Sequence, residues 1–217
     1  FIRYTDVENI KNFPDVLIEG EEVVATEKIH GSNFRCGWLV MEEEQTRPFE
    51  PCVAEFIVGT RRTALKTNAT EDGDLLAENR WLRAVERYGL KEKLEPYPGY
   101  IVFGEVYGPG VQKLAYAEDR VNLRLFDVWD GKRYLDYEEF ERFASAIGVG
   151  VAPVLYRGPY SASVLDLRSG NTVVGGGAHI REGIVIRPVK ERWEKSVGRV
   201  LLKSVSEAYL MGNFEGE

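Results

Sequence analysis

Alternating apolar and polar residues along this chain predict that it is built mainly from β-strands. In EVVATEK, residues 22–28, the alternation places Val24, Thr26 and Lys28 on one strand face and leaves Val23, Ala25 and Glu27 on the other. Six further runs rich in Val, Ile, Phe and Tyr predict strands as well: NFRCGWLV, VAEFIVG, YIVFGEVYG, VNLRLFDVW, EGIVIRP and GRVLLKSV. The Asp130-Gly131 pair after FDVW indicates a hairpin turn, so we expect largely antiparallel sheets.

Two segments show helical rather than strand periodicity. They are residues 74–89, DLLAENRWLRAVERYG, and residues 136–148, DYEEFERFASAIG. In the second segment Asp136 and Glu139 form a capping-box pair, which predicts the start of the helix, and Gly148 predicts its end. Strands and helices do not alternate regularly, so the order predicts an α+β fold of mainly antiparallel sheets with flanking helices.

The length of 217 residues is sufficient for one large domain, and we predict a single domain over residues 1–217. Because the first residue is Phe1 rather than Met, we expect this segment to be part of a longer chain. No apolar run approaches the roughly 20 residues that cross a bilayer, so no membrane partner is expected. Cys36 and Cys52 form no CxxC pair, which favours reduced thiols and an intracellular, cytoplasmic location.

The net charge of −7 argues against a domain whose whole surface binds nucleic acid, because such domains are usually basic. It leaves room for a local site. Basic residues cluster in GTRRTALK, at Arg61, Arg62 and Lys66, and again around VKERWEKSVGR. The second cluster is interleaved with glutamates, which favours a solvated face.

EKIHGSNFR, residues 27–35, places a lysine at the end of a predicted strand. A buried Lys28 would have a pKa below its usual value of about 10.4 and could act as a nucleophile. Gly31 allows a tight turn that brings His30 and Asn33 toward the lysine. A surface lysine beside a structural histidine remains the alternative.

Four further polar residues lie in or beside predicted strands. Glu105 shares a strand face with Phe103 and Tyr107, where it could bind a ribose hydroxyl or stand exposed. Asp127 in LFDVW needs a partner or a metal if buried, or else it caps the following turn. Glu182 precedes a strand and could supply an oxygen ligand to Mg²⁺, and Lys203 in LLKSV could contact phosphate. No GxxxxGK[ST] phosphate loop is present in the sequence.

The ordered set KIHGSN, GTRRT, FGEVYG, LFDVW, EGIVI and LLKS resembles the motifs of the covalent nucleotidyltransferase superfamily, whose members are polynucleotide ligases and mRNA-capping enzymes. The resemblance extends from about Val7 to Leu210. DNA ligases and capping enzymes usually have Asp where this chain has His30, and the KxHGxN form is similar to the ATP-dependent RNA ligases. NIKNFPDV and KSVSEAYL are similar to a subgroup in which the catalytic domain follows an OB module.

The resemblance implies a three-step reaction. Lys28 would attack the α-phosphate of ATP, the resulting lysyl-AMP would pass AMP to an RNA 5′-phosphate, and an RNA 3′-OH would then displace AMP. Each step accumulates charge on phosphate oxygens, which calls for cationic side chains and a divalent metal, Mg²⁺ or Mn²⁺.

The resemblance also implies a role for each motif residue. His30, Arg62 and Lys203 would lie near phosphate, and Asn33 and Glu105 near ribose or the reacting ends. Phe126 would stack on adenine, and Glu182 with Asp127 would support the metal or the lysine. Glu27 would contact adenine through its side chain or its backbone.

Three features qualify the resemblance. Leu201 stands where the family usually has an additional lysine, so one phosphate contact is absent. Phe126 and Asp127 are neighbours that point to opposite faces of a straight strand, so both reach a pocket only if the strand bends. Arg61 and Arg62 compete for one family arginine, and we prefer Arg62 because Thr follows it.

Three other functions remain open at this stage. A capping guanylyltransferase or DNA ligase shares the motif order but is disfavoured by His30. A nucleotide-binding module that has lost catalysis gains weight from Leu201. A structural RNA-binding domain is disfavoured by the acidic balance.

Overall fold

The computed structural model describes residues 1–40, 54–65 and 79–212. Among these residues the strands form two five-stranded sheets and a short two-stranded ribbon. Within the same ranges no helix has the length and apolar character needed to cross a membrane. The α+β class predicted from the sequence is confirmed.

The first sheet has the strand order β1-β12-β9-β2-β8. Only the β1–β12 pair in it is parallel. Its strands are β1 (Glu8–Asn9), β2 (Glu22–Glu27), β8 (Val154–Pro159), β9 (Gly183–Pro188) and β12 (Leu202–Val205).

The second sheet has the order β5-β4-β3-β6-β7 and is antiparallel throughout. Its strands are β3 (Ser32–Val40), β4 (Ala54–Gly59), β5 (Ala64–Leu65), β6 (Ile101–Tyr107) and β7 (Asn122–Trp129), and the ribbon is β10 (Trp193–Glu194) with β11 (Gly198–Arg199).

The helices are short, and two of them were predicted from the sequence. They are α1 (Arg80–Tyr88), α2 (Leu90–Leu94), α3 (Tyr137–Ala146) and α4 (Glu207–Leu210). The capping box predicted for α3 is present, with Asp136 and Glu139 in reciprocal contact. Helix α1 begins after the N-cap Asn79, and the start predicted for it at residues 74–78 lies outside the described residues.

Alternation along the strands places apolar side chains in separate layers. Val24 packs into a large core with the helices, whereas Val23 and Ala25 from the opposite face of β2 pack into a second core. A third layer lies between the two sheets, where Tyr4, Phe103 and Leu201 are in contact. The sheets therefore face each other, and the candidate site lies at this interface.

Candidate active site

Lys28 directly follows β2, where the neighbouring strand β9 begins. Its backbone N–H donates to the carbonyl of Gly183 at 2.9 Å. Its Nζ lies 2.5 Å from Oε1 of Glu182, and the side chains are 28% and 11% exposed. The amine is therefore held at one position while part of the lysine side chain remains open to the solvent.

Glu182 remains ionised in this environment. Burial alone would raise its pKa, but the contacts with His30 and the charge of Lys28 outweigh burial, and the net pKa lies below its usual value. A carboxylate rather than a carboxylic acid thus faces the lysine.

The imidazole of His30 lies beside the same carboxylate. Its Nδ1 is 3.4 Å from Oε2 of Glu182 and 2.7 Å from the hydroxyl of Tyr209. Its backbone N–H donates to the hydroxyl of Tyr116 at 2.5 Å. The predicted convergence of His30 on Lys28 is therefore observed, with Glu182 between them.

Gly31 is required by the close approach of β6. A Cβ atom at this position would lie 2.3 Å from the carbonyl oxygen of Val106 and 2.9 Å from Cγ of Glu105. Burial raises the pKa of Glu105 to about 8, although the charge of Lys28 acts in the opposite direction. A second carboxyl group thus stands near the lysine, and without a cation bound it tends to be protonated.

A cavity of about 240 Å³ opens between the sheets in front of Lys28. Phe126 and Val185 supply apolar walls, and Asn33 and Lys203 line it with polar groups. Oδ1 of Asn33 is buried and has no hydrogen-bond partner within the described part of the chain. Since unpaired buried oxygens are uncommon, this atom is suited to a hydroxyl or amine of a bound ligand.

A β-bulge resolves the conflict between Phe126 and Asp127. Phe103 pairs with Asp127 and Gly104 pairs with Leu125, so Phe126 has no opposite residue on β6. The extra residue lets both side chains reach the interface between the sheets, where each contacts Tyr4. Phe126 lines the cavity, and its stacking on adenine stays a prediction.

Asp127, for which the resemblance implied a role in supporting the metal or the lysine, is not among the residues that line the cavity. It is fully buried and accepts a hydrogen bond from the Tyr4 hydroxyl at 2.9 Å. Arg187 lies 3.2 Å and Arg199 lies 2.6 Å from its oxygens. Burial raises its pKa, but the two guanidinium groups more than offset this and lower it. The carboxylate is thus paired with two cationic side chains, which favours a structural role, and its catalytic or metal-binding role stays a prediction.

The two adjacent arginines differ in their position, and Arg62, which we preferred from the sequence, is not the one that lines the cavity. Arg61 lines the cavity and forms an ion pair with Asp6. Arg62 is absent from the lining, and its backbone N–H donates to the hydroxyl of Thr60 in the turn after β4. Lys66, the third basic residue of this run, lies outside the described residues.

Glu27 lines the cavity, but its carboxylate has other partners. One oxygen accepts from the Thr172 hydroxyl, and the other accepts from the backbone N–H of Val173 at 2.8 Å. The side chain anchors the glycine-rich segment that follows Thr172. The backbone N–H of Glu27 donates to the carbonyl of Pro153 at 2.8 Å, so both predicted modes of adenine contact stay predictions.

Lys203 and Leu201 both line the cavity, with different roles. Lys203 on β12 pairs with Val185 of β9 and has no ion-pair partner among the described residues. Leu201 is buried and packs with Tyr4 and Phe103. The position that carries a lysine in the family pattern is thus part of the apolar layer in this chain.

Several residues of the site were not predicted from the sequence. Tyr4 and Thr5 line the cavity from the N-terminal segment, and Arg187 lines it from β9. Tyr116 and Tyr209 bind His30 from a loop and from α4. Tyr209 lies in the KSVSEAYL segment, but no sequence pattern assigned a role to any of these residues, so only the tertiary contacts identify them.

Comparison with known proteins places these features in a family. The family model described as RNA ligase matches residues 21–205. Solved structures of a Naegleria gruberi RNA ligase are similar to the chain: a mutant with ATP and Mn has a TM-score of 0.74 at 20% identity, covering 98% of this chain and 57% of that one.

Two further structures of the Naegleria gruberi RNA ligase give similar values. The complex with pyrophosphate has a TM-score of 0.73 at 21% identity and covers 97% of this chain and 58% of that chain. A mutant with AMP and Mn has a TM-score of 0.74 at 20% identity, with coverage of 97% and 58%. The chain thus spans somewhat more than half the length of these structures. Because the family model matches most of its residues, the chain belongs to the RNA ligase family.

Proposed function

We propose that this chain is the catalytic core of an ATP-dependent RNA ligase. It attaches AMP to Lys28, transfers AMP to an RNA 5′-phosphate and joins that end to an RNA 3′-OH, as in RNA repair. The main observation that supports this proposal is that the Lys28 amine lies 2.5 Å from Glu182 at the edge of a cavity between the sheets. A strand-end lysine with these neighbours is suited to nucleophilic catalysis.

The cavity lining fits an adenine nucleotide. The ring of Phe126, 4.9 Å from that of Tyr4, offers an aromatic surface on which a purine can stack. The unpaired Oδ1 of Asn33 and the carboxyl group of Glu105 are suited to ribose hydroxyls. Lys203 and Arg61 supply the positive charge that triphosphate requires.

The first chemical step can be assigned to side chains of this site. A bond forms between Nζ of Lys28 and the α-phosphorus, and the bond to the leaving pyrophosphate breaks. The amine must lose a proton before or during attack, and Glu182 is the base within hydrogen-bond distance of it. The pyrophosphate complex of the Naegleria gruberi RNA ligase is consistent with this product.

The donor set fits a divalent cation when nucleotide is present. The carboxyl groups of Glu182 and Glu105 both lie close enough to Lys28 for its charge to lower their pKa values. Carboxylate oxygens are suitable ligands for Mg²⁺ or Mn²⁺. The described residues contain no group of three or more His, Cys, Asp or Glu side chains able to hold a metal, so phosphate oxygens and water would complete the coordination. The ion would supply positive charge for the phosphoryl oxygens.

A nucleotide-binding module without catalysis is the second candidate, and Leu201 is the observation that favours it. Its apolar side chain leaves one cation fewer at the phosphates than the family pattern provides. Lys28, Glu105, Glu182 and Lys203 remain together at the site, which favours the ligase. The greater length of the Naegleria gruberi chains leaves room for a further module, for which we propose the OB module.

Intact-mass analysis after incubation with ATP and Mg²⁺ tests the proposal, with GTP in parallel. We expect a covalent AMP adduct in the wild type and none in Lys28→Ala. Lys28→Arg is the matched control, because it keeps the charge beside Glu182 but cannot provide the amine. Failure to form an adduct with either nucleotide would favour the non-catalytic module, and a GMP adduct would indicate a guanylyltransferase.

A further inference from the structure

Tyr209 belongs to none of the steps assigned above, yet it is built firmly into the site. Helix α4, which carries it, is attached to the start of β9 through Ser206. The backbone N–H of Ser206 donates to the carbonyl of Glu182 at 2.9 Å, and its hydroxyl donates to the carbonyl of Arg181 at 3.2 Å. The same hydroxyl accepts from the backbone N–H of Tyr209 at 3.1 Å. The phenol is thus positioned relative to Glu182.

The phenol oxygen of Tyr209 lies 2.7 Å from Nδ1 of His30. The same nitrogen lies 3.4 Å from Oε2 of Glu182, which is too long for a strong hydrogen bond. Burial and the charge of Glu182 raise the pKa of Tyr209 to about 12, so its hydroxyl keeps a proton to donate. The polar side-chain contacts of His30 with the described residues both use Nδ1.

We propose that Tyr209 is a positioning residue that donates its hydroxyl proton to Nδ1 of His30. Neutral His30 then carries its own proton on Nε2. That N–H is available to an anionic oxygen of the substrate. This last role rests on the proposed function, but the assignment of the tautomer does not depend on it. In this tautomer Nδ1 donates no proton to Glu182, so the lowered pKa of that carboxyl group depends on the charge and the hydrogen bond of Lys28.

The second histidine provides an internal reference for a direct measurement. Nδ1 of His179 lies 2.7 Å from the carbonyl oxygen of Ile180. A carbonyl oxygen can only accept, so His179 must carry its proton on Nδ1. The chain has only these two histidines, and they are expected to be opposite tautomers.

Long-range ¹H–¹⁵N correlation spectra of the ligand-free protein at a pH of about 8, above the usual imidazole range, distinguish the two tautomers. We expect one imidazole protonated at Nδ1 and the other, His30, at Nε2. In Tyr209→Phe the His30 signals should move toward the Nδ1-protonated form, and those of His179 should stay. A wild type with both rings protonated at Nδ1, or a His30 signal unchanged in Tyr209→Phe, would overturn the proposal.

Kinetics provide the second readout. Tyr209→Phe should lower the rate of AMP-adduct formation at saturating ATP by about tenfold with little change in the KM for ATP, as for other residues that orient a reacting group. Tyr156→Phe is the matched control, because it also loses one tyrosine hydrogen bond, to Pro159 at 2.7 Å, on the exposed part of β8. Equal rates in the two variants would contradict the positioning role. If the wild type forms no AMP adduct, the spectra still decide the tautomer.

Discussion

Lys28 and Glu182 are 154 positions apart in the chain, yet their side chains meet at 2.5 Å. The contact follows from the register of two antiparallel strands, because Glu27 at the end of β2 lies opposite Ile184 near the start of β9. The residue that follows one strand therefore meets the residue that precedes the other. Motifs that are distant in the sequence form one site for this reason.

Replacing Glu182 by Gln should slow the formation of the AMP adduct by about 10²-fold or more. The change removes the carboxylate that holds Lys28 and could bind a divalent cation. The measurement is the single-turnover rate with labelled ATP and Mg²⁺ or Mn²⁺. Glu207→Gln, on the exposed side of α4, is the control and should match the wild type. An unchanged rate in Glu182→Gln would remove this residue from the mechanism.

The adjacent arginines provide a matched pair of variants. Arg61→Ala should raise the KM for ATP and lower adduct formation by about tenfold, because Arg61 lines the cavity and a charged hydrogen bond is worth roughly 1.5–3 kcal/mol. Arg62→Ala should have little effect. Steady-state adduct formation over a range of ATP concentrations checks both. The opposite ranking would show that the sequence-based preference for Arg62 was correct.

Glu105 should make folding stability depend on pH. Its folded-state pKa of about 8 lies above the unfolded value, so the folded protein keeps a proton that the unfolded chain releases above a pH of about 4.3. Stability is therefore lost as the pH rises from that value toward 8. Urea unfolding of the metal-free protein should show this decline, and Glu105→Gln should be more stable than the wild type at pH 8, by about 1–3 kcal/mol.

The control for Glu105 is the pH dependence of the difference in stability between the wild type and Glu105→Gln. The gain from Glu105→Gln should be smaller near the low end of that pH range, where the unfolded chain also keeps the proton. A gain that does not vary with pH would contradict the raised pKa.

Asp127 should matter for stability rather than for chemistry. Asp127→Asn removes one of the two carboxylates that Arg187 and Arg199 share, the other being that of Glu191, and breaking a buried pair costs about 3–5 kcal/mol of unfolding free energy. Folded Asp127→Asn should still form the AMP adduct. Urea unfolding and intact mass measure the two effects, and Asp119→Asn at an exposed ion pair is the control. Loss of the adduct in protein shown to be folded would restore a catalytic role.

The pH dependence at Asp127 has the opposite sign to that at Glu105. Its folded-state pKa is lowered, so its contribution is present at neutral pH. The contribution is lost as the pH falls below the unfolded value of about 3.9 toward the lower folded value. The difference in stability between wild type and Asp127→Asn should therefore shrink in acid.

Local patterns were sufficient for most elements of the fold. Two-residue alternation predicted β2 and β6, and the capping box at Asp136 predicted the start of α3. Strand β8 was missed, because Gly158 and Pro159 in its sequence are typical of turns. Its pairing with β2 outweighs those local preferences.

For the site, the sequence by itself determined which residue types are available and where strands end. This was enough to nominate Lys28 and Glu182, because reactive groups at strand ends leave a recognisable local pattern. Only the tertiary structure decided that Asp127 is neutralised by Arg187 and Arg199, and that Tyr209 reaches His30. These contacts join distant segments, and they depend on a bulge, a strand register and a capped helix whose combined geometry no local pattern encodes.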